Sequence, residues 1–177
     1  RAGGANGGTQ DGGKDGGGEG GSVTVSATAG GIKRKNADLR SAGDLTVGGS
    51  GTSTINVTAG GSLKAADTAT LSATDTITNA GTLLSGGNMK LTAADALATL
   101  NNSGATQSSA VLTLGEPGNL LDIDNTSTGT LLGDTLAIRA DDVSNTGTMQ
   151  ATAGTTMNAN SFINSGVAAK FLASTTT

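Results

Sequence analysis

Carboxylates are the side chains here whose types and spacing come nearest to bond-breaking chemistry. Asp122 and Asp124 stand two residues apart, so on a strand they share a face. Asp141-Asp142 follows about one repeat later. Polysaccharide lyases and hydrolases built on parallel β-helices use acidic clusters of this kind, sometimes with calcium, which prefers oxygen ligands. Such a site also needs a placed cation, and Arg139 is the one near in sequence. The competing reading makes these acids solvated turn and outer-face residues, whose charge discourages lateral pairing of sheets. We adopt that reading and expect no catalytic residues and no enzyme. The chain has no His, Cys or Tyr, which excludes a Ser-His-Asp triad, a thiol protease and a His-ligated zinc site. No metal or other cofactor is expected.

The remaining candidates bind rather than react. Asp11, Asp15 and Glu19 sit among glycines, but their spacing of four residues does not match a calcium-binding nonapeptide repeat. Gly13-Lys14 is followed by Asp15 where a phosphate loop requires Ser or Thr. Lys33, Arg34 and Lys35, with Arg40 close behind, form the one cationic cluster. It could hold sulfated glycans through charge-assisted bonds, or be a solvated loop. Lys64 and Lys90 each stand three residues after a glycine that leads a strand, which predicts that they lie along one outer face. With a formal net charge of −4 and neither Trp nor Tyr, no nucleic-acid partner is expected, because nucleic acid demands clustered cations and stacking rings. No stretch approaches the ~18 apolar residues of a membrane span.

The elements that must carry these residues are short and repetitive. Residues 1–40 read as a Gly-rich linker or loop followed by a first short strand, and residues 41–177 as a repeat segment. Both ends look like cuts through a longer protein. The repeat is marked by Asn79-Ala80-Gly81, Asn102-Ser103-Gly104, Asn145-Thr146-Gly147 and Asn164-Ser165-Gly166, with Asn125-Thr126 a version stretched before Gly129. Between these lie strands with alternating apolar residues, led by Gly43, Gly61, Gly87, Gly133 and Gly154. Alternation signals half-buried strands, and self-similarity near ~20 residues signals a solenoid. The Leu-x-x-Leu-x-Leu frame of leucine-rich repeats is missing, and no segment keeps a helical period for three turns. The expectation is an all-β, right-handed parallel β-helix with coils of ~19–23 residues. The stretch between Gly61 and Gly87 predicts a swollen or irregular coil, with Ala69–Ile77 as an extra strand.

Composition agrees with a narrow core. There are 30 Gly, one Pro and only two Phe, and hydrophobic residues reach 34%. Coils stacked at ~4.8 Å bring the same position of every coil into one row, and large rings fit poorly inside such a tube. Asn side chains in one row can hydrogen-bond above and below, so Asn79, Asn102, Asn125, Asn145 and Asn164 are the predicted ladder. Gly two residues later removes a Cβ from the corner.

The Gly-x-Leu-x-Val/Ala/Leu strands joined by Asn-x-Gly-Thr/Ala corners resemble the repeat region of the filamentous haemagglutinin family and the exoproteins of contact-dependent growth inhibition systems. The resemblance covers about residues 41–170 and is strongest in Thr76–Leu91, Leu121–Ile138 and Asp142–Asn158. It implies a two-partner-secreted fibre on the surface of Gram-negative bacteria, exported through an outer-membrane secretion partner. Its roles would be adhesion to host-cell glycans or glycolipids, or the plain stalk of a toxin-delivery filament. The family's amino-terminal secretion domain with Asn-Pro motifs is not in this sequence, and the lone Pro117 lies in the turn Glu116-Pro117-Gly118. There is no Arg-Gly-Asp tripeptide.

Overall fold

The computed structural model describes residues 22–27, 30–34 and 38–173. Their alternating short strands wind into seven stacked coils, each contributing one strand to each of three faces. The first coil consists of β1 (Val23–Val25), β2 (Gly31–Arg34) and β3 (Asp38–Ser41). The second is β4 (Leu45–Gly48), β5 (Thr54–Val57) and β6 (Ser62–Ala65), and the third β7 (Ala69–Ala73), β8 (Thr76–Asn79) and β9 (Thr82–Ser85). The fourth is β10 (Met89–Ala93), β11 (Leu97–Asn102) and β12 (Ala105–Ser108). Next come β13 (Val111–Leu114) and β14 (Leu120–Asn125), after which the strands run through the corners: β15 (Thr130–Asn145), β16 (Thr148–Asn164) and finally β17 (Lys170–Ala173). All strand pairings are parallel, and partners lie 18 to 25 residues apart along the chain. There is no helix among the described residues, and hence none long and apolar enough to cross a membrane.

Period-2 alternation puts every second side chain inside, and the parallel register turns those side chains into rows. On the first face Val25, Val47, Leu71, Leu91, Leu114 and Ile138 follow one another. On the second, Ile32, Ile55, Ile77, Leu100, Ile123 and Val143 do so. On the third the row is Leu39, Leu63, Leu83, Thr106, Leu131 and Met149. All are buried, and each fully buried aliphatic side chain contributes about 1.5–3 kcal/mol of transfer free energy. The two phenylalanines occupy the seventh coil, Phe162 against Val143 and Phe171 against Met149. There Phe162 is 40% exposed, and the rings meet edge to face at 5.2 Å.

Two expectations about organisation are corrected. The repeat does not begin at residue 41, because β1, β2 and β3 already stack in register on β4, β5 and β6. The region from Gly61 to Gly87 holds no swollen coil. The strand led by Gly61 lies on the third face, whereas those led by Gly43 and Gly87 lie on the first. Ala69–Ala73 is the ordinary first-face strand of the third coil, pairing with both β4 and β10. Glycine leads strands on two different faces, so aligning the repeat on glycine mixed them.

Candidate functional site

The most elaborate polar construction lies inside the tube. Asn79, Asn102, Asn125, Asn145 and Asn164 end their second-face runs at equivalent register positions, and the first four are fully buried. Each amide nitrogen donates to the carboxamide oxygen of the next coil. The distances are 3.0 Å from Asn79 to Asn102, 2.8 Å from Asn102 to Asn125, 2.7 Å from Asn125 to Asn145 and 2.6 Å from Asn145 to Asn164. The same nitrogens reach across the corner to main-chain carbonyls of the next coil's third-face strand, at Ala105, Thr130, Thr148 and Lys170. One amide per coil therefore ties two strands of the coil above to the one below. Below Asn79 the row continues as Val57, and the Asn79 oxygen accepts instead from the Gly81 amide at 3.1 Å.

Two further elements of this interior were not read from the sequence. Thr106 interrupts the leucine row of the third face, and its hydroxyl lies 3.1 Å from the Asn79 nitrogen while donating to the Asn102 oxygen at 3.0 Å. Aligning on the ladder asparagines exposes it, since Thr106 follows Asn102 by four residues just as Leu83 follows Asn79. At the corner from the third face to the first, the buried hydroxyls of Ser41, Ser85 and Ser108 donate to the carbonyls of Asp44, Asn88 and Val111. Ser85 and Ser108 each stand six residues after a ladder asparagine, a signal that was legible.

The corner glycines follow from close approach. A Cβ on Gly81 or Gly104 would come within 2.2 Å of the carbonyl oxygen of Gly61 or Gly81 in the preceding coil. Real Cβ atoms do not tolerate that distance, so only glycine lets successive corners nest.

The basic cluster is divided. Lys33 is exposed and lies on the second face, whereas Arg40 lies on the third, aligned with Lys64. Arg40 makes a 3.1 Å ion pair with Asp38. Lys35 and the side chain of Arg34 lie outside the described residues. Lys64 and Lys90 do not share a face: Lys64 is on the third and Lys90 on the first, because the glycines preceding them lead strands of different faces. Lys90 instead pairs with Glu116 at 3.2 Å.

The acids are spread over the second face and its edges. Asp122 accepts the main-chain N–H of Asp142 at 3.3 Å, and Asp141 accepts from the Asn160 amide in the following coil. Arg139 forms no ion pair with any of them among the described residues. No group of three or more Asp or Glu is gathered as a metal site among the described residues. Asp11, Asp15 and Glu19 lie outside them. Two carboxyls titrate below their ordinary range. Asp38 does so chiefly because the Ser62 hydroxyl donates to it, with Arg40 second, and Asp44 because the hydroxyl and then the main-chain N–H of Thr68 do. In both cases the acid braces the coil that follows it.

No protein-family model, curated protein or solved structure matches the chain. The parallel β-helix therefore stands on its own strand register.

Proposed function

We propose that this chain is a rod-forming segment of a secreted adhesin fibre on a bacterial surface, exported with the help of an outer-membrane partner. The observation that carries the reading is the continuity of the interior. Three largely apolar rows and an asparagine ladder run from coil to coil, and among the described residues the strands of each coil pair with those of the adjacent coils, which is how a chain gains length without a globular core. The surface acids support a structural role, since Asp38, Asp44, Asp122 and Asp141 each bond to the next coil. The chain acts without catalysis. Contacts with host-cell glycans or glycolipids are weak per copy, because exposed hydrogen bonds exchange with water and each yields only ~0.5–1.5 kcal/mol. Adhesion comes from many fibres engaging together, which adds ~10²–10⁴-fold. A stalk that merely extends a toxin-delivery filament would share the interior and lack the glycan contacts.

The test is location. Antibodies raised against residues 38–173 should label the outside of intact cells of the native host along filaments, and surface proteolysis should remove the label. Signal confined to the cytoplasm overturns the reading.

A further inference from the structure

One turn departs from the regular surface of the rod. Between β13 and β14 the chain leaves the solenoid as Gly115-Glu116-Pro117-Gly118-Asn119 and closes on itself through two 3.0 Å main-chain bonds between Glu116 and Asn119. Pro117 followed by Gly118 at φ +81° is the signature of a type II turn. The turn is fixed at both ends. Glu116 is held by Lys90 at 3.2 Å, the Asn119 amide donates to the carbonyls of Ala93 and Asp95, and Thr92 donates to the Asn119 carbonyl. At its base, Gly115 has φ +75°, and a Cβ there would lie 2.0 Å from the Arg139 carbonyl oxygen. A projection held by this many bonds presents a preformed wall.

Against that wall lies a groove of about 290 Å³ on the first face, lined by Thr113, Glu116, Pro117, Ala137, Arg139 and Thr156. Its floor is one outward row, Thr113, Ala137 and Thr156, in consecutive register. The volume falls at the lower end of ligand sites, roughly 300–1,000 Å³, which suits one or two sugar rings. The Pro117 ring, the Ala137 methyl and the threonine methyls provide an apolar patch, and two threonine hydroxyls supply donors and acceptors. Lys90 offsets Glu116, while Arg139 is exposed and makes no ion pair among the described residues. The groove thus carries one uncompensated positive charge, on the side chain whose planar fork matches a carboxylate.

We infer that this groove binds an acidic saccharide through a hexuronate residue, whose carboxylate meets Arg139 while its ring lies on Ala137 beneath Pro117. This deepens the fibre reading by naming a ligand class and a site, and its failure leaves that reading standing, because surface location is measured independently. The experiment titrates the protein with unsulfated tetramers of galacturonate and of hyaluronan, and with their carboxyl-reduced counterparts, followed by amide chemical shifts. Binding of either acidic tetramer near the millimolar range, with shifts centred on residues 113–117 and 137–139, supports the site, and whichever binds identifies the source of the uronate. Carboxyl reduction or Arg139→Gln should weaken binding about tenfold or more. Ala137→Leu should abolish it by filling the floor while Arg139 remains. Both positions face outward, so the variants should melt with the wild type, and if one does not, the other decides. Absence of binding by both acidic tetramers, equal affinity for the reduced sugars, or unchanged binding by Arg139→Gln overturns the inference.

Discussion

Asparagine is an expensive residue to bury, since an unpaired amide in an apolar tube costs more than its hydrogen bonds return in water. The ladder solves this by repetition: the groups that one coil leaves unpaired are those the next coil supplies. Asn145 shows the dependence. It accepts from Asn125 and donates to Asn164 and to the Lys170 carbonyl. Asn145→Leu leaves those partners without it and should cost about 1–3 kcal/mol, whereas Asp142→Ala, on an exposed side chain, should change the melting temperature little. Equal melting temperatures for wild type and Asn145→Leu would show that the ladder does not stabilise the fold. The surface acids act more weakly and depend on pH. Asp38 and Asp44 have folded values below the ordinary 3.8, so their contribution is fully present above the unfolded value and is lost as pH falls through the folded one. Between about pH 5 and pH 2 the wild type should therefore lose more thermal stability than Asp38→Asn/Asp44→Asn. Parallel curves would refute the assignment.

At the scale of the element, what the sequence made legible is what repeats locally. Alternation and the Asn-x-Gly triplets are properties of five or six neighbouring residues, and they announced the strands, the corners and the solenoid. Which face each strand joins is a property of register across about twenty residues, and there the reading failed for the Gly61 strand, for the third coil and for the shared face of Lys64 and Lys90. Aligning on asparagine instead would have recovered the faces, because Asn is placed by an interior bond that recurs in every coil from the third on, whereas a leading glycine answers only to a local turn. The groove beside Pro117 was not legible at all, since its floor is assembled from three coils. The corner glycines give a sharp test of nesting. Gly104→Ala places a Cβ 2.2 Å from the Gly81 carbonyl oxygen and should destabilise by well over 1 kcal/mol. Gly154→Ala meets nothing within 4 Å, so restricting the unfolded chain should leave it neutral or stabilise it by about 0.4–1 kcal/mol. Chemical denaturation of the two variants checks the contrast, and equal losses would mean that the corners can separate.

Over the whole molecule, stability is distributed as in a stack, each coil resting on an interface above and one below. The first and the last coil have one such interface each among the described residues. Among the described residues the first coil is joined to the second through short runs such as the three paired residues of β1 on β4, and it lies outside the ladder. The seventh coil has its ladder residue, Asn164, bonded on one side among the described residues, with Met157 and Ala159 only partly buried. The third to sixth coils have two apolar interfaces each and are threaded by Asn79, Asn102, Asn125 and Asn145. Opening one of these requires breaking both interfaces and one ladder bond in the third coil or two in the fourth to sixth, whereas a coil with one interface can peel away alone. Amide hydrogen exchange should consequently be slowest in β8, β11, β14 and the Ala140–Asn145 part of β15, and fastest in β1–β3 and in the last coil. The profile should be graded from the ends inward, and Asn102→Leu should speed exchange most in the coils on either side of it. Uniform protection along the chain, or a variant whose effect spreads equally to every coil, would mean that the rod opens as one unit and that its coils are not independent neighbours.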